Sequence, residues 1–227
     1  MGAISLFVIS ACKKDKNTPV PTGTPKIKTA GTASYEYDAQ GRVLVNQFTS
    51  NDKNVYTYSG STVKEEQYSG GVVTGTFTHE LNSDGYVEKT TYGPLSVSLS
   101  RYTYNSAGQL INQHYTNGPL SDSTDSRYFY SPAGRLDSMW YTRNNDAITV
   151  FKVYYDYAGS AGSNTISHIN SGLLFMGELR NTNPPSKIIY VYGNGTIETQ
   201  NYSYTYDNFG RIIKSSSAIG TTNYTYY

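Results

Sequence analysis

Three histidines (His79, His114 and His168) and one cysteine (Cys12) are the side chains best suited to ligating a metal or attacking a substrate. The histidines lie far apart, with no His-x-x-x-His pair and no cysteine cluster, so strand-packed or solvated imidazoles are expected instead of a metal site. Gly159-Ser160-Ala161-Gly162-Ser163 misses the Gly-x-Ser-x-Gly nucleophile elbow by one residue, and no phosphate-binding loop occurs. Glu80-Leu81-Asn82-Ser83-Asp84-Gly85 opens as a calcium loop does, but Thr91 stands where such a loop needs its late glutamate. Paired carboxylates such as Asp122 with Asp125 and Glu65 with Glu66 are common on polar surfaces, although a glycosidase pair drawn from distant strands stays open. No catalytic residue, metal or cofactor is therefore assigned.

Cys12 carries a different chemistry. The apolar stretch from Gly2 to Ile9 runs into Ile9-Ser10-Ala11-Cys12, a branched apolar residue three before the cysteine and a small one directly before it. This resembles the lipobox of bacterial lipoproteins, which implies cleavage before Cys12, diacylglycerol on its sulfur and attachment to a membrane. Residues 1–11 would then be a signal peptide, short and without a basic residue before the cysteine. The competing reading is a buried free cysteine in an N-terminal strand, against which Lys13-Lys14-Asp15-Lys16 follows at once.

Residues 12–31 read as a flexible tether, with five lysines and with Pro19, Pro21 and Pro25 among threonines and glycines. The whole chain has 18 basic and 17 acidic residues; removing the tether leaves 13 against 16, so the body is slightly acidic. No basic patch supports nucleic-acid binding, and positive charge is concentrated beside the expected membrane surface. Mean hydropathy is −0.52, and no apolar run in the body is long enough for a helical membrane span.

The elements behind these residues are read from turns. Of the 227 residues 24 are tyrosine, against seven Phe and one Trp, which points to a repeated structural position. Six times a Tyr, or once Leu81, precedes Asp, Asn or Ser, with glycine three positions further on. The polar residue and its glycine are Asp38 and Gly41, Asn82 and Gly85, Asn105 and Gly108, Ser131 and Gly134, Asp156 and Gly159, and Asp207 and Gly210. The pattern predicts type I turns closed by a glycine of positive φ, each at a hairpin tip. Tyr35-Glu36-Tyr37, Tyr102-Thr103-Tyr104, Tyr128-Phe129-Tyr130 and Tyr204-Thr205-Tyr206 alternate with the period of a strand, and no helical period survives between the turns. The fold expected is all-β, an antiparallel meander of repeated hairpins forming a curled sheet or barrel over 32–227, with about 14 to 16 strands.

Tyr-x-Tyr-Asp-x-x-Gly-Arg-Val/Ile/Leu, most complete from Tyr35 to Val43 and from Tyr204 to Ile212, resembles the YD repeat of RHS proteins. Together with the lipobox and the segment from Leu179 to Ile188, the chain more closely resembles Bacteroidetes lipoproteins with a porin-like domain of unknown function. That resemblance implies architecture and an outer-membrane location, facing the periplasm or the outside, and no activity. The tyrosines are expected mainly to pack as cross-strand ladders, the alternative being a stacking platform for sugar rings or bases. Arg42, Arg135 and Arg211, each after a turn glycine, are expected over tyrosine rings or paired with carboxylates.

Residues 171–186 break the repeat. Gly172-Leu173-Leu174-Phe175-Met176-Gly177 is expected to cap the core, or else to dock a partner through Leu174 and Phe175; Trp140 is the candidate aromatic contact, with a core position as its alternative. The function expected is that of a non-catalytic binding module for a glycan or partner protein in the cell envelope. The alternatives are a structural or accessory subunit of an outer-membrane complex and, least favoured, a glycan-active hydrolase. A lipid-spanning barrel is disfavoured because Glu36, Thr57, Thr103 and Thr205 alternate with the tyrosines where lipid demands an apolar band.

Overall fold

A computed structural model describes residues 26–93, 98–118, 122–143, 149–157 and 184–227. Seventeen strands follow one another: β1 (Ile27–Ala30), β2 (Ala33–Tyr37), β3 (Val43–Gln47), β4 (Lys53–Ser59), β5 (Thr62–Ser69), β6 (Val72–Leu81), β7 (Val87–Tyr92), β8 (Ser98–Tyr104) and β9 (Leu110–Asn117). After these come β10 (Asp122–Tyr130), β11 (Leu136–Arg143), β12 (Thr149–Asp156), β13 (Lys187–Tyr192), β14 (Ile197–Asn201), β15 (Ser203–Tyr206), β16 (Ile212–Ser217) and β17 (Gly220–Tyr226). Each pairs antiparallel with the next in sequence, except across the β14–β15 junction, and β17 returns to pair with β1. The meander is therefore nearly closed into a barrel, as the all-β reading requires.

Two features raise the strand count above the expected one. Ile27 is buried and pairs with Tyr226, so β1 lies inside what reads as tether. Its flanking lysines, Lys26 and Lys28, disguise a strand that contributes one apolar side chain to the core; each instead lies over a ring, Tyr37 and Tyr227 respectively. Second, 197–206 is one extended run interrupted at Tyr202. Its first part pairs with β13 and its second with β16, so the run hands the sheet from one neighbour to the next.

Five of the six turn motifs are formed as expected. At Asp38, Asn82, Asn105, Ser131 and Asp207 the backbone carbonyl accepts from the N–H of the glycine three residues on, and φ at Gly41, Gly85, Gly108, Gly134 and Gly210 lies between 74° and 82°. The side-chain oxygen of each first residue accepts from the N–H four residues on, and each hairpin carries a register shift beside the motif tyrosine or Leu81. An oxygen so placed replaces strand pairing that the turn cannot supply. Arg42 and Arg211 also reach back to Asp38 and Asp207 at 2.6 Å, and Arg42, Arg135 and Arg211 lie 4.2, 5.1 and 4.7 Å from the ring centres of Tyr58, Tyr157 and Tyr226. Burial pushes the Asp38 carboxyl up, but hydrogen bonds from the Arg42 backbone and guanidinium outweigh it and hold the group below its ordinary value.

The remaining copy is described only in part: Asp156 is the last residue of β12, opposite Lys187 and 3.0 Å from its ammonium, and the rest of its turn lies outside the described residues. Tyr157, two residues after Tyr155, makes the bond to Leu136 that the motif tyrosines Tyr104 and Tyr130 make to Val87 and Leu110. Gly159 lies outside the described residues.

Candidate functional site

Register fixes which residues face inward. Tyr35, Tyr56 and Tyr58, Tyr102 and Tyr104, and Tyr128 and Tyr130 lie on the inner side, while Glu36, Thr57, Thr103 and Phe129 alternate outward. Seven of the tyrosine hydroxyls are committed to the backbone in one recurring way. Tyr37 donates to the Ile27 carbonyl at 2.7 Å, Tyr58 to Val43 at 2.9 Å, Tyr104 to Val87 at 2.7 Å and Tyr130 to Leu110 at 2.8 Å. Tyr157 donates to Leu136 at 2.8 Å, Tyr204 to Pro185 at 2.9 Å and Tyr226 to Ile212 at 2.7 Å.

The accepting residues are the core itself. Val43, Val87, Leu110, Leu136 and Ile212 each stand two positions after a turn glycine and are 0–6% exposed. Each bulge leaves a carbonyl without a regular ladder partner, and the tyrosine of a later hairpin supplies the donor while its ring covers the aliphatic side chain. Burial is the leading cause that raises the Tyr37, Tyr58, Tyr104, Tyr130, Tyr157 and Tyr204 hydroxyls above their ordinary value, and it pushes Tyr155 and Tyr226 up to about 12. Rings held this way are architectural. The sequence contained the signal in the aliphatic residue two after each glycine, but not its hydrogen-bond partner.

A polar group is built into the wall across β5, β6 and β7. His79 is 2% exposed; its Nε2 lies 3.1 Å from Glu65 Oε2 and its Nδ1 2.9 Å from Thr90 Oγ1. Asn54 and Gln67 donate to Glu65 Oε1 at 2.9 and 3.1 Å. Hydroxyl, imidazole and carboxylate stand in the order used for nucleophile activation, but Thr90 is 8% exposed and Glu65 7%, so this conformation admits no substrate to the hydroxyl. The buried carboxylate is instead saturated by donors, as a buried charge requires. No three His, Cys, Asp or Glu residues among those described converge as metal ligands. His114 is a partly buried outer-wall residue, 3.1 Å from Asp125; His168 lies outside the described residues.

The outer wall carries a second cluster. Trp140 is half-buried, with Phe129 at 4.8 Å between ring centres and the Lys152 ammonium 4.2 Å from its centre. The register puts Arg127, Trp140, Lys152, Val191 and Ile197 in one outward row and Phe129, Ser138, Tyr154 and Ile189 in the next. Trp140 is thus neither a core residue nor an open platform: one face is covered by Lys152, and its Nε1 is buried without a partner among the described residues. Cys12, Leu174 and Phe175 lie outside the described residues, whereas Pro184 and Pro185, at the end of the same break in the repeat, are buried.

The two ends of the barrel differ. All the formed motif turns lie at one end, where Lys26 also enters, its carbonyl accepting from the Tyr227 N–H. The described connections and strand ends at the other end carry Phe48, Val72, Val73, Ile197 and Ile219, which are 41%, 64%, 48%, 64% and 78% exposed. At the motif end Phe209 is exposed too, but it lies under the Arg211 guanidinium at 5.1 Å.

No family model matches the sequence, and no curated protein matches it. Among solved structures, a porin-like protein from Bacteroides vulgatus is similar at TM-score 0.63 and 15% identity, over 88% of this chain and 98% of that one. A porin-like protein from Bacteroides uniformis is similar at TM-score 0.61 and 14% identity, over 89% of this chain and 94% of that one. At these identities the likeness is one of fold. The chain thus shares the nearly closed meander of the Bacteroides porin-like proteins over almost their whole length.

Proposed function

We propose that this chain is a non-catalytic cell-envelope protein, anchored to the outer membrane through lipid on Cys12, whose barrel presents the rim opposite the motif turns to a partner protein. The observation that carries the reading is the distribution of exposed apolar side chains: Phe48, Val72, Val73, Ile197 and Ile219 lie at the end away from Lys26, where the chain leaves for Cys12. Apolar tips on a polar rim mark interaction surfaces. The inner tyrosine face, by contrast, spends seven of its hydroxyls on backbone carbonyls, which moves the candidate contact surface off that face. The porin-like neighbours from Bacteroides and the lipobox at Cys12 support the envelope location, and the turn motif supports kinship with YD-repeat proteins.

Crosslinking in intact cells, followed by purification from the membrane fraction, tests this reading. The wild-type chain is expected to yield a discrete crosslinked complex, and Val72→Ser with Ile219→Ser to lose it while staying in the membrane fraction. An unchanged complex in the double variant contradicts the rim assignment. A glycan is the second reading, favoured by Phe129 and Tyr154, 40% and 39% exposed on the outer wall; saturable binding on a glycan array that Phe129→Ala abolishes would support it.

A further inference from the structure

We infer that the outer edge of β14 is a docking edge that takes up an extended strand of the partner polypeptide, an inference that rests on the partner-protein reading of the same rim. Hydrogen bonding fixes the phase. The Tyr192 N–H donates to the Thr196 carbonyl and the Tyr202 N–H to the Ser186 carbonyl, so even-numbered residues of the run turn their backbone groups toward β13. Odd-numbered residues face the other way. At the lower end, Asp207 is bonded to Arg211, and β15 continues into the β16 pairing from Tyr206 to Ser203. β16 then ends at Ser217 in a short turn to Gly220. The N–H and C=O groups of Ile197, Thr199 and Asn201 consequently face a side on which no strand is paired among the described residues.

Natural sheet edges are protected by proline, lysine, a bulge or a covering element. Ile197-Glu198-Thr199-Gln200-Asn201 has no proline, no lysine and no register shift, and four of its five residues are exposed. Strand addition to such an edge is an established mode of peptide recognition, in which backbone bonds give affinity and alternate side chains give specificity. Exposed isoleucines flank the site, Ile197 on the strand and Ile219 at the β16–β17 tip.

The occupant is specified by what the edge excludes. A second copy adding its own β14 antiparallel would place its 193–196 turn where the 218–219 tip stands, because the β15–β16 register sets Asn201 level with Ala218. An extended segment without a neighbouring hairpin avoids that clash. Glu198 is the strand's single charge and faces the inner side with Gln200, while Ile197 and Thr199 face outward. A complementary strand therefore alternates basic residues, opposite Glu198, with β-branched apolar residues opposite Ile197 and Thr199.

The test uses the full chain and a fluorescent peptide of alternating lysine and valine, read by anisotropy alongside amide hydrogen exchange. Ile197, Thr199 and Asn201 amides are expected to exchange rapidly in the free protein and to become protected at saturating peptide. Thr199→Pro, which removes an N–H on the free edge while leaving the bonds to β13, should abolish binding, and Glu198→Lys should weaken it by about tenfold. Val72→Ser, away from β14, should leave peptide binding intact, so failure of the wider rim reading and failure of the edge are separable. No binding, or binding indifferent to Thr199→Pro, overturns the inference. So does protection of the three amides without peptide: if independent of protein concentration it shows that this chain covers its own edge, and if it rises with concentration it shows a second copy there.

Discussion

The two ends of this barrel are built from the same hairpins and carry opposite chemistry. At the motif end each of the five formed motif turns is stitched by a side-chain oxygen and closed by a glycine, and tyrosines from later hairpins cap the carbonyls of Val43, Val87, Leu110, Leu136 and Ile212. At the other end the described connections share no such stitched turn, and Val72, Ile197 and Ile219 stand in solvent at or beside them. A repeat maintained at one end and relaxed at the other separates the part that holds the fold from the part free to acquire contacts.

Substitutions can break that contrast. The largest effect is expected at the motif end from Leu136→Ala, which removes a fully buried side chain beneath Tyr157 and should cost about 2–5 kcal/mol in urea unfolding. Next is Tyr104→Phe, which keeps the ring and leaves the Val87 carbonyl without its donor; a loss of about 1–2 kcal/mol is expected, with no change in partner capture. The smallest effect belongs to the opposite rim. Val72→Ser with Ile219→Ser should change unfolding free energy by no more than about 0.5 kcal/mol per site while removing the crosslinked partner. A rim variant that unfolds as readily as Leu136→Ala would erase the distinction between the ends.

What could be read from the sequence follows the same division. Turn chemistry is local, so Asp38, Asn82, Asn105, Ser131 and Asp207 with their glycines are legible in five-residue windows, and the alternating tyrosines give the strands between them. β1 is not legible, because a strand with one buried residue, Ile27, between two lysines has no alternation to detect. The Asp156 copy misleads because Tyr155 has the motif's spacing to Gly159, whereas Tyr157 makes the bond to Leu136 that the motif tyrosines Tyr104 and Tyr130 make to Val87 and Leu110, a pairing that spacing does not encode. The Glu65–His79–Thr90 group and the open β14 edge are products of pairing between strands, which no spacing within one strand encodes.

The central claim, that the inner tyrosines are structural and not a ligand platform, is tested most directly by following phenolate absorbance and far-UV circular dichroism together as pH is raised. Unfolded tyrosine titrates near pH 10, and burial raises the folded values, to about 12 for Tyr155 and Tyr226. The stability contributed by these neutral, buried hydroxyls is therefore complete below about pH 10 and is lost as pH climbs through the folded values. The expected result is a fraction of tyrosines that stays un-ionised above pH 10 and then ionises in the same transition that removes the β-sheet signal. Ionisation of all the tyrosines near pH 10 with the sheet intact would contradict the claim.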